Sequence, residues 1–234
     1  MLLSVLTTAC SGNGSSSGVA DNQEANKITV TASTTPIPAV SPIITTSETH
    51  LAMDAYKRVL QNEDNFLSTD GKKILLNDYL KEYLTGKQLE MTHFTIIDLD
   101  GDNIPEVVLE LSVDGNPQFY EILHYNKEQV YGYDFVYRGL ERLKADGTFW
   151  ASSGAADNEC DKLKFNDGAY EIITLAHSES KQDDNGMTVS YYIDNQSVTD
   201  EAFNSFTQNQ DAKDDVVWNE VSESNIEKEL SISE

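Results

Sequence analysis

The sequence predicts an α+β domain: an antiparallel β-meander packed with N-terminal helices and closed by a C-terminal helical cap. Three observations carry this. Leu51, Ala55, Tyr56, Val59 and Leu60 recur at helical spacing, and turn pairs punctuate residues 92–192. Helical spacing then returns after Thr199.

The first helix is expected over about 48–62, with Ser47 and Thr49 as candidate caps. A shorter one starts at Asn77, carries Tyr79, Leu80, Tyr83 and Leu84 on one face, and stops at Gly86. From Thr92 the period switches to two. Asp114-Gly115, Asn126-Lys127, Asp146-Gly147, Asp167-Gly168 and Asn185-Gly186 interrupt the alternation. Such pairs favour hairpin turns because both central residues need positive φ. Beyond them, Thr199 precedes Asp200 and Glu201 at a helix start, with Phe203 and Phe206 on its buried face. Val216 to Trp218 reads as one more strand, and Ser224 with Glu227 as a capping box opening the last helix.

Composition narrows the function. Forty Asp plus Glu against 16 Lys plus Arg leave a net charge of −24 over 234 residues. So acidic a surface repels phosphate backbones, which excludes nucleic acid as a partner. Apolar residues make up 39% of the chain, enough for a real core. No apolar run approaches the roughly 20 residues of a membrane-spanning helix.

The organisation is expected in three parts: a partial signal peptide at 1–9, a tether at 10–47 and one α+β domain at 48–234. Residues 1–9 are apolar, end in small residues and stop at Cys10. That pattern resembles a bacterial lipoprotein signal, in which Cys10 becomes the lipidated N-terminus. Thr7 stands where Leu is usual, and no basic residue precedes the apolar part. A start codon placed too far downstream accounts for the shortness. Residues 11–49 hold seven Ser, seven Thr and three Pro with no aromatic residue. A segment of that kind cannot offset its ordering entropy by burial, so it reads as a tether of about 35 Å mean span. With Cys10 lipidated, Cys160 is a lone thiol and no intramolecular disulfide forms. The expected location is the outer side of the cell membrane, reached through an N-terminal lipid.

One motif carries chemistry. In Asp98-Leu-Asp100-Gly-Asp102-Asn-Ile104-Pro-Glu106, carboxylates fall at loop positions one, three, five and nine, and the Ile104 carbonyl falls at seven. Alternate residues of a tight loop can aim oxygens at one centre, which suits calcium with its six to eight oxygen ligands. Without a cation the acids repel one another. The spacing resembles the first half of an EF-hand loop, although Leu109 stands where its last ligand would be and Asn103 replaces its glycine. Phe94 and Ile96 before the loop, and Val107, Leu109 and Leu111 after it, alternate like strands. It is therefore more similar to the strand-loop-strand calcium loops of integrin-type propeller blades. Over Tyr56 to Leu230 the chain resembles uncharacterised lipoproteins of anaerobic Firmicutes, a family that implies no activity. The competing reading is a solvated acidic turn.

Further candidates are weaker. Tyr131 and Tyr133, with Phe135 and Tyr137, put four rings on one strand face, either a sugar-stacking platform or core under the helices. Gly132 and Asp134 then face solvent. Residues 150–160 read as a long loop in which Ser152 and Ser153, with Arg138 or Arg142, could hold an anionic group. Alternatively, the arginines pair with carboxylates. His50, His93, His124 and His177 are scattered, and Cys160 has no visible base. These features favour a calcium-stabilised surface lipoprotein that binds a glycan or protein partner and is not an enzyme. The alternative is an extracellular hydrolase acting on glycan or peptide.

Overall fold

A computed structural model describes residues 44–231 apart from Thr85, Ala155 and Asn185. The signal at 1–9, Cys10 and the tether up to residue 43 lie outside the described residues. The class is α+β. Along the chain run α1 (Ile44–Leu60), β1 (Asn65–Leu67), β2 (Lys73–Leu75), α2 (Leu76–Glu82), β3 (Glu90–Ile97), β4 (Glu106–Val113), β5 (Asn116–Asn126) and β6 (Gln129–Val136). After a single 3-10 turn come β7 (Thr148–Ser152), β8 (Asn158–Asn166), β9 (Ala169–Asp183), β10 (Gly186–Ile193) and β11 (Gln196–Val198). The chain closes with α3 (Asp200–Asp211), β12 (Asn219–Glu220) and α4 (Glu223–Leu230).

The strands form two sheets. The first has the order β12-β3-β4-β5-β6-β1-β2 and the second β11-β10-β9-β8-β7. All neighbours are antiparallel except β1 and β6, which meet in parallel at Leu67 and Tyr131. Turn chemistry explains the hairpins: Asp114 and Gly115 have φ of 51° and 75°, and Asp167 and Gly168 have 46° and 81°. The β5–β6 turn is shifted one residue from the expected pair, to Lys127 and Glu128, because Asn126 stays in the ladder opposite Gln129. Asp194 and Asn195, both at positive φ, turn β10 into β11.

Three cores stack these layers. Val107, Leu109 and Leu111 of β4 pack with Tyr56 of α1, Leu80 of α2 and Ile226 of α4. The next residue over, Val108, joins Ile122, Tyr133 and Phe135 of the first sheet to Phe149, Leu163 and Phe165 of the second. Outside the second sheet, Trp150, Cys160 and Ala176 pack on Phe203 of α3. The first sheet is thus covered on both faces, which is why β4 reads as the near-continuous apolar run Val107-Val-Leu-Glu-Leu111. Each large side chain so buried stabilises by roughly 1.5–3 kcal/mol.

Several expectations are corrected. The helix begins at Ile44, so the last four residues given to the tether are helical. The Gly132 and Asp134 face of β6 is not a solvent side. Gly132 is buried, and a Cβ there would lie 2.2 Å from Glu121 Oε1 and 2.5 Å from the Phe66 ring. Of the two readings of Tyr131 and Tyr133 the core reading holds, but they pack between the sheets and not under the helices. Val216 to Trp218 forms no strand; pairing starts at Asn219, opposite Phe94. The last helix is capped by Ser222, whose hydroxyl accepts from the Asn225 N–H, and Glu227 pairs with Lys57 of α1 at 2.5 Å. Trp150 to Ser152 and Asn158 to Cys160 belong to β7 and β8, leaving residues 153–157 as the loop.

Closing the first sheet between two layers traps a carboxyl group. Glu121 is fully buried, accepts the Tyr79 hydroxyl at 2.6 Å and leaves Oε1 unpartnered. Burial pushes its pKa up to about 8; the Tyr79 hydrogen bond opposes this and the Asp134 charge adds to it. A carboxyl whose pKa rises on folding contributes stability that is complete below its unfolded value near 4.5 and disappears as the pH passes about 8. Glu121→Gln should therefore gain on the order of 3 kcal/mol relative to wild type between pH 5 and pH 9. Urea unfolding of both proteins at the two pH values measures this, and parallel pH profiles would show that Glu121 is ionised in the fold.

Candidate metal centre

The acidic loop joins β3 to β4 at the rim of the core between the sheets. Its backbone is shaped by its own carboxylates. Asp98 Oδ1 accepts from the Gly101 N–H at 2.7 Å, and its Oδ2 accepts from the Asn103 N–H at 3.0 Å. Asp100 Oδ1 accepts from the Asp102 N–H at 3.2 Å, and Asp102 Oδ1 from the Ile104 N–H at 2.6 Å. Gly101 and Asn103 sit at φ of 85° and 73°. Asn is among the few residues other than glycine that adopt that backbone readily, which is what lets it stand in for glycine here.

Longer contacts fix the loop in the fold. Asp100 Oδ2 accepts from the Phe165 N–H of β8 at 3.2 Å, tying a turn of the first sheet to a strand of the second. Gly147 approaches from the turn before β7, so closely that a Cβ would lie 2.7 Å from the Leu99 carbonyl oxygen. Past the loop's midpoint the Thr49 hydroxyl of α1 donates to the Asn103 carbonyl at 3.2 Å. Leu99 is fully buried in the core between the sheets.

Glu106 is fully buried at the start of β4. Its Oε2 accepts from the Leu99 N–H at 2.9 Å, and its Oε1 lies 3.0 Å from Nδ1 of His124 on β5. The imidazole stacks on Phe165 with ring centres 4.2 Å apart. Burial pushes the Glu106 carboxyl well above the usual range; the Leu99 N–H opposes this, while Asp100, Asp102 and Asp98 add to it. Burial likewise pulls His124 down to about 4. Both partners are driven toward their neutral forms, so their contact is a carboxyl–imidazole hydrogen bond and not an ion pair. Asp102 is raised first by desolvation and then by Asp100, Asp98 and Glu48, against its Ile104 hydrogen bond.

One carboxylate oxygen from each of Asp98, Asp100 and Glu106 lies within 4.8 Å of the other two, so these three acids could hold a metal ion. Asp102 stands outside this group. Ile104 packs its side chain against the core under α1. The donors are hard oxygens with lone pairs left after their N–H bonds, which fits a hard cation such as calcium and gives a soft metal nothing to prefer. A divalent charge at that point would favour the ionised form of Glu106 and relieve the mutual repulsion of all three.

The remaining candidates separate. Arg138 donates to the Ser152 hydroxyl and to the Gly154 carbonyl at 3.2 Å, which pins the 153–157 turn. Ser153 is exposed and donates its N–H to the Asp157 carbonyl at 3.1 Å. Arg142 pairs with Asp211 at 3.1 Å and lies 4.9 Å above the Trp150 ring. Tyr133 is buried, and Tyr131 covers Gly168. Burial raises the Cys160 thiol to about 12, which disfavours the thiolate. Among the described residues no helix is long and apolar enough to cross a membrane. No protein-family description, curated protein or solved structure matches the chain.

The close approach of Gly147 yields a test of how the loop is held. Gly147→Ala places a side chain at φ of 79° and drives it against Leu99. The expected loss is about 2–4 kcal/mol of unfolding free energy, from strain plus overpacking. A urea midpoint equal to that of wild type would mean that the loop does not rest on this turn.

Proposed function

We propose that this chain is a surface lipoprotein, anchored through Cys10 and stabilised by one calcium ion, that serves as a binding or interaction module. The observation that carries the reading is the shared focus of Asp98, Asp100 and Glu106 within 4.8 Å. In it, the Ile104 carbonyl and water complete the shell, and Asp102 acts by shaping the loop instead of by ligation. Calcium holds β3 and β4 in register and strengthens the tie to β8 through Asp100. The short pattern ending at Cys10 and the Ser/Thr/Pro-rich stretch after it support the anchor. The buried Cys160 thiol, held in its neutral form, favours binding over hydrolysis.

An ion bound only by the folded state must raise the melting midpoint. At about one hundred times its dissociation constant, calcium should add about 2.7 kcal/mol, or about 5–10 °C for a domain of this size. Asp100→Asn should abolish the difference between calcium and EGTA, and Asp102→Asn should keep most of it. Equal midpoints with calcium and with EGTA in wild type would refute the site. For the anchor, labelled palmitate in a bacterial host should mark wild type and spare Cys10→Ser; equal labelling would refute it.

A further inference from the structure

A cavity of about 660 Å³ opens between the end of β3, the acidic loop, Lys162 of β8 and the segment that leads into β12. Carboxylates line it, but they are answered. Asp215 pairs with Lys144 at 2.7 Å, Asp146 with Lys213 at 2.7 Å and Glu229 with Lys228 at 2.5 Å. Asp98 accepts the N–H groups of Gly101 and Asn103.

What stands unanswered is a set of donors. Thr95 of β3 lies opposite Val108 in the ladder, so its side chain shares the face turned to the second sheet. It is only 2% exposed, it lines the cavity, and its hydroxyl makes no hydrogen bond among the described residues. Leaving a buried hydroxyl without a partner costs free energy that an incoming acceptor recovers. Lys162 reaches the same cavity, with Nζ 3.7 Å from where a Gly101 Cβ would stand. Among the described residues its ammonium has neither an ion pair nor a hydrogen bond. Beside these donors, Val216 and the 77% exposed Val217 supply an apolar wall.

A ligand that suits this wall brings acceptors, negative charge and a short apolar stem. An alkylammonium would set like charge against Lys162, and an alcohol would leave that charge unmatched. In 0.1 M salt the charge of the rest of the chain is screened beyond about 10 Å, so the near wall decides. We propose that this cavity binds a small organic carboxylate, its oxygens on the Lys162 ammonium and the Thr95 hydroxyl and its stem against Val216 and Val217. The site gives the binding-module reading a ligand class and rests on that reading, but it draws on Lys162 and Thr95 and holds without calcium.

The test titrates the full chain with sodium butyrate, following the amide shifts of Thr95 and Val217 by NMR. One arm contains calcium; the other uses buffer stripped of divalent ions by a chelating resin. Saturable shifts are expected in both arms, at least about ten-fold tighter than for n-butanol or n-butylammonium. Lys162→Gln, which drops the charge, should weaken binding at least about ten-fold, and Thr95→Val, which keeps the shape and drops the hydroxyl, at least about three-fold. If circular dichroism shows one variant to be unfolded, the other carries the expectation. Absent saturation, saturation only with calcium, equal affinity for butanol, or wild-type affinity in a folded Lys162→Gln or Thr95→Val overturns the carboxylate site. So does an equal loss in Lys164→Gln, a neighbouring lysine outside the cavity wall. Saturation in the ion-free arm supports the site even if the calcium loop fails its melting test.

Discussion

The two sheets are tied across their shared core by a hydrogen bond from the Phe165 N–H of β8 to the Asp100 carboxylate in the β3–β4 turn, with Lys127 and Asp167 paired at the neighbouring turns. Apolar burial between the sheets is strong but undirected, since Val108, Ile122, Phe149 and Leu163 would bury nearly as well after a slide of one sheet over the other. The polar contact chooses the position. Once Asp100 is fixed, the turn that follows Asp98 brings Glu106 under the Leu99 N–H. The β4–β5 ladder then sets His124 against it.

Much of this was legible in the chain. The switch from helical to alternating periodicity, the Asp114-Gly115 and Asp167-Gly168 turns and the helix after Thr199 all appear where the residues place them. Asn103 at positive φ follows from its place in the Asp-x-Asp-x-Asp spacing. The Glu106–His124 pair was out of reach, because counting back from the Asp114-Gly115 turn sets Val107 opposite Ile122, whereas the ladder pairs it with Leu123. The bulge between Leu111 and Ser112 offsets that count by one, and nothing in the local sequence announces a bulge.

What could not be read was the second sheet as a separate layer. A run of hairpin signals gives strand order but not where the ribbon folds over on itself, and here the break falls between Tyr137 and Gly147. That single fact decides which layer each face meets: Tyr131 and Tyr133 pack against the second sheet, and Gly132 becomes a point of close approach to Phe66 and Glu121. The failure at Val216 to Trp218 has the same origin. Trp218 rests on Tyr120 at 5.9 Å between ring centres, so its apolar character reflects packing at the sheet rim and not a place in a ladder.

An acidic chain with buried Glu106, Glu121 and Asp161 holds its carboxyls in two ways, by neutralising them through burial or by gathering them where a cation can compensate. Glu121 follows the first course, while Asp98, Asp100 and Glu106 are near enough to one another that they could follow the second. Amide hydrogen exchange at Phe165 and Leu99, compared between wild type and Asp100→Ala, tests the central tie most directly. Slow exchange at both amides in wild type, with Phe165 released in the variant while the β4–β5 amides stay protected, is the result the account predicts. Unprotected exchange at Phe165 in wild type would contradict it.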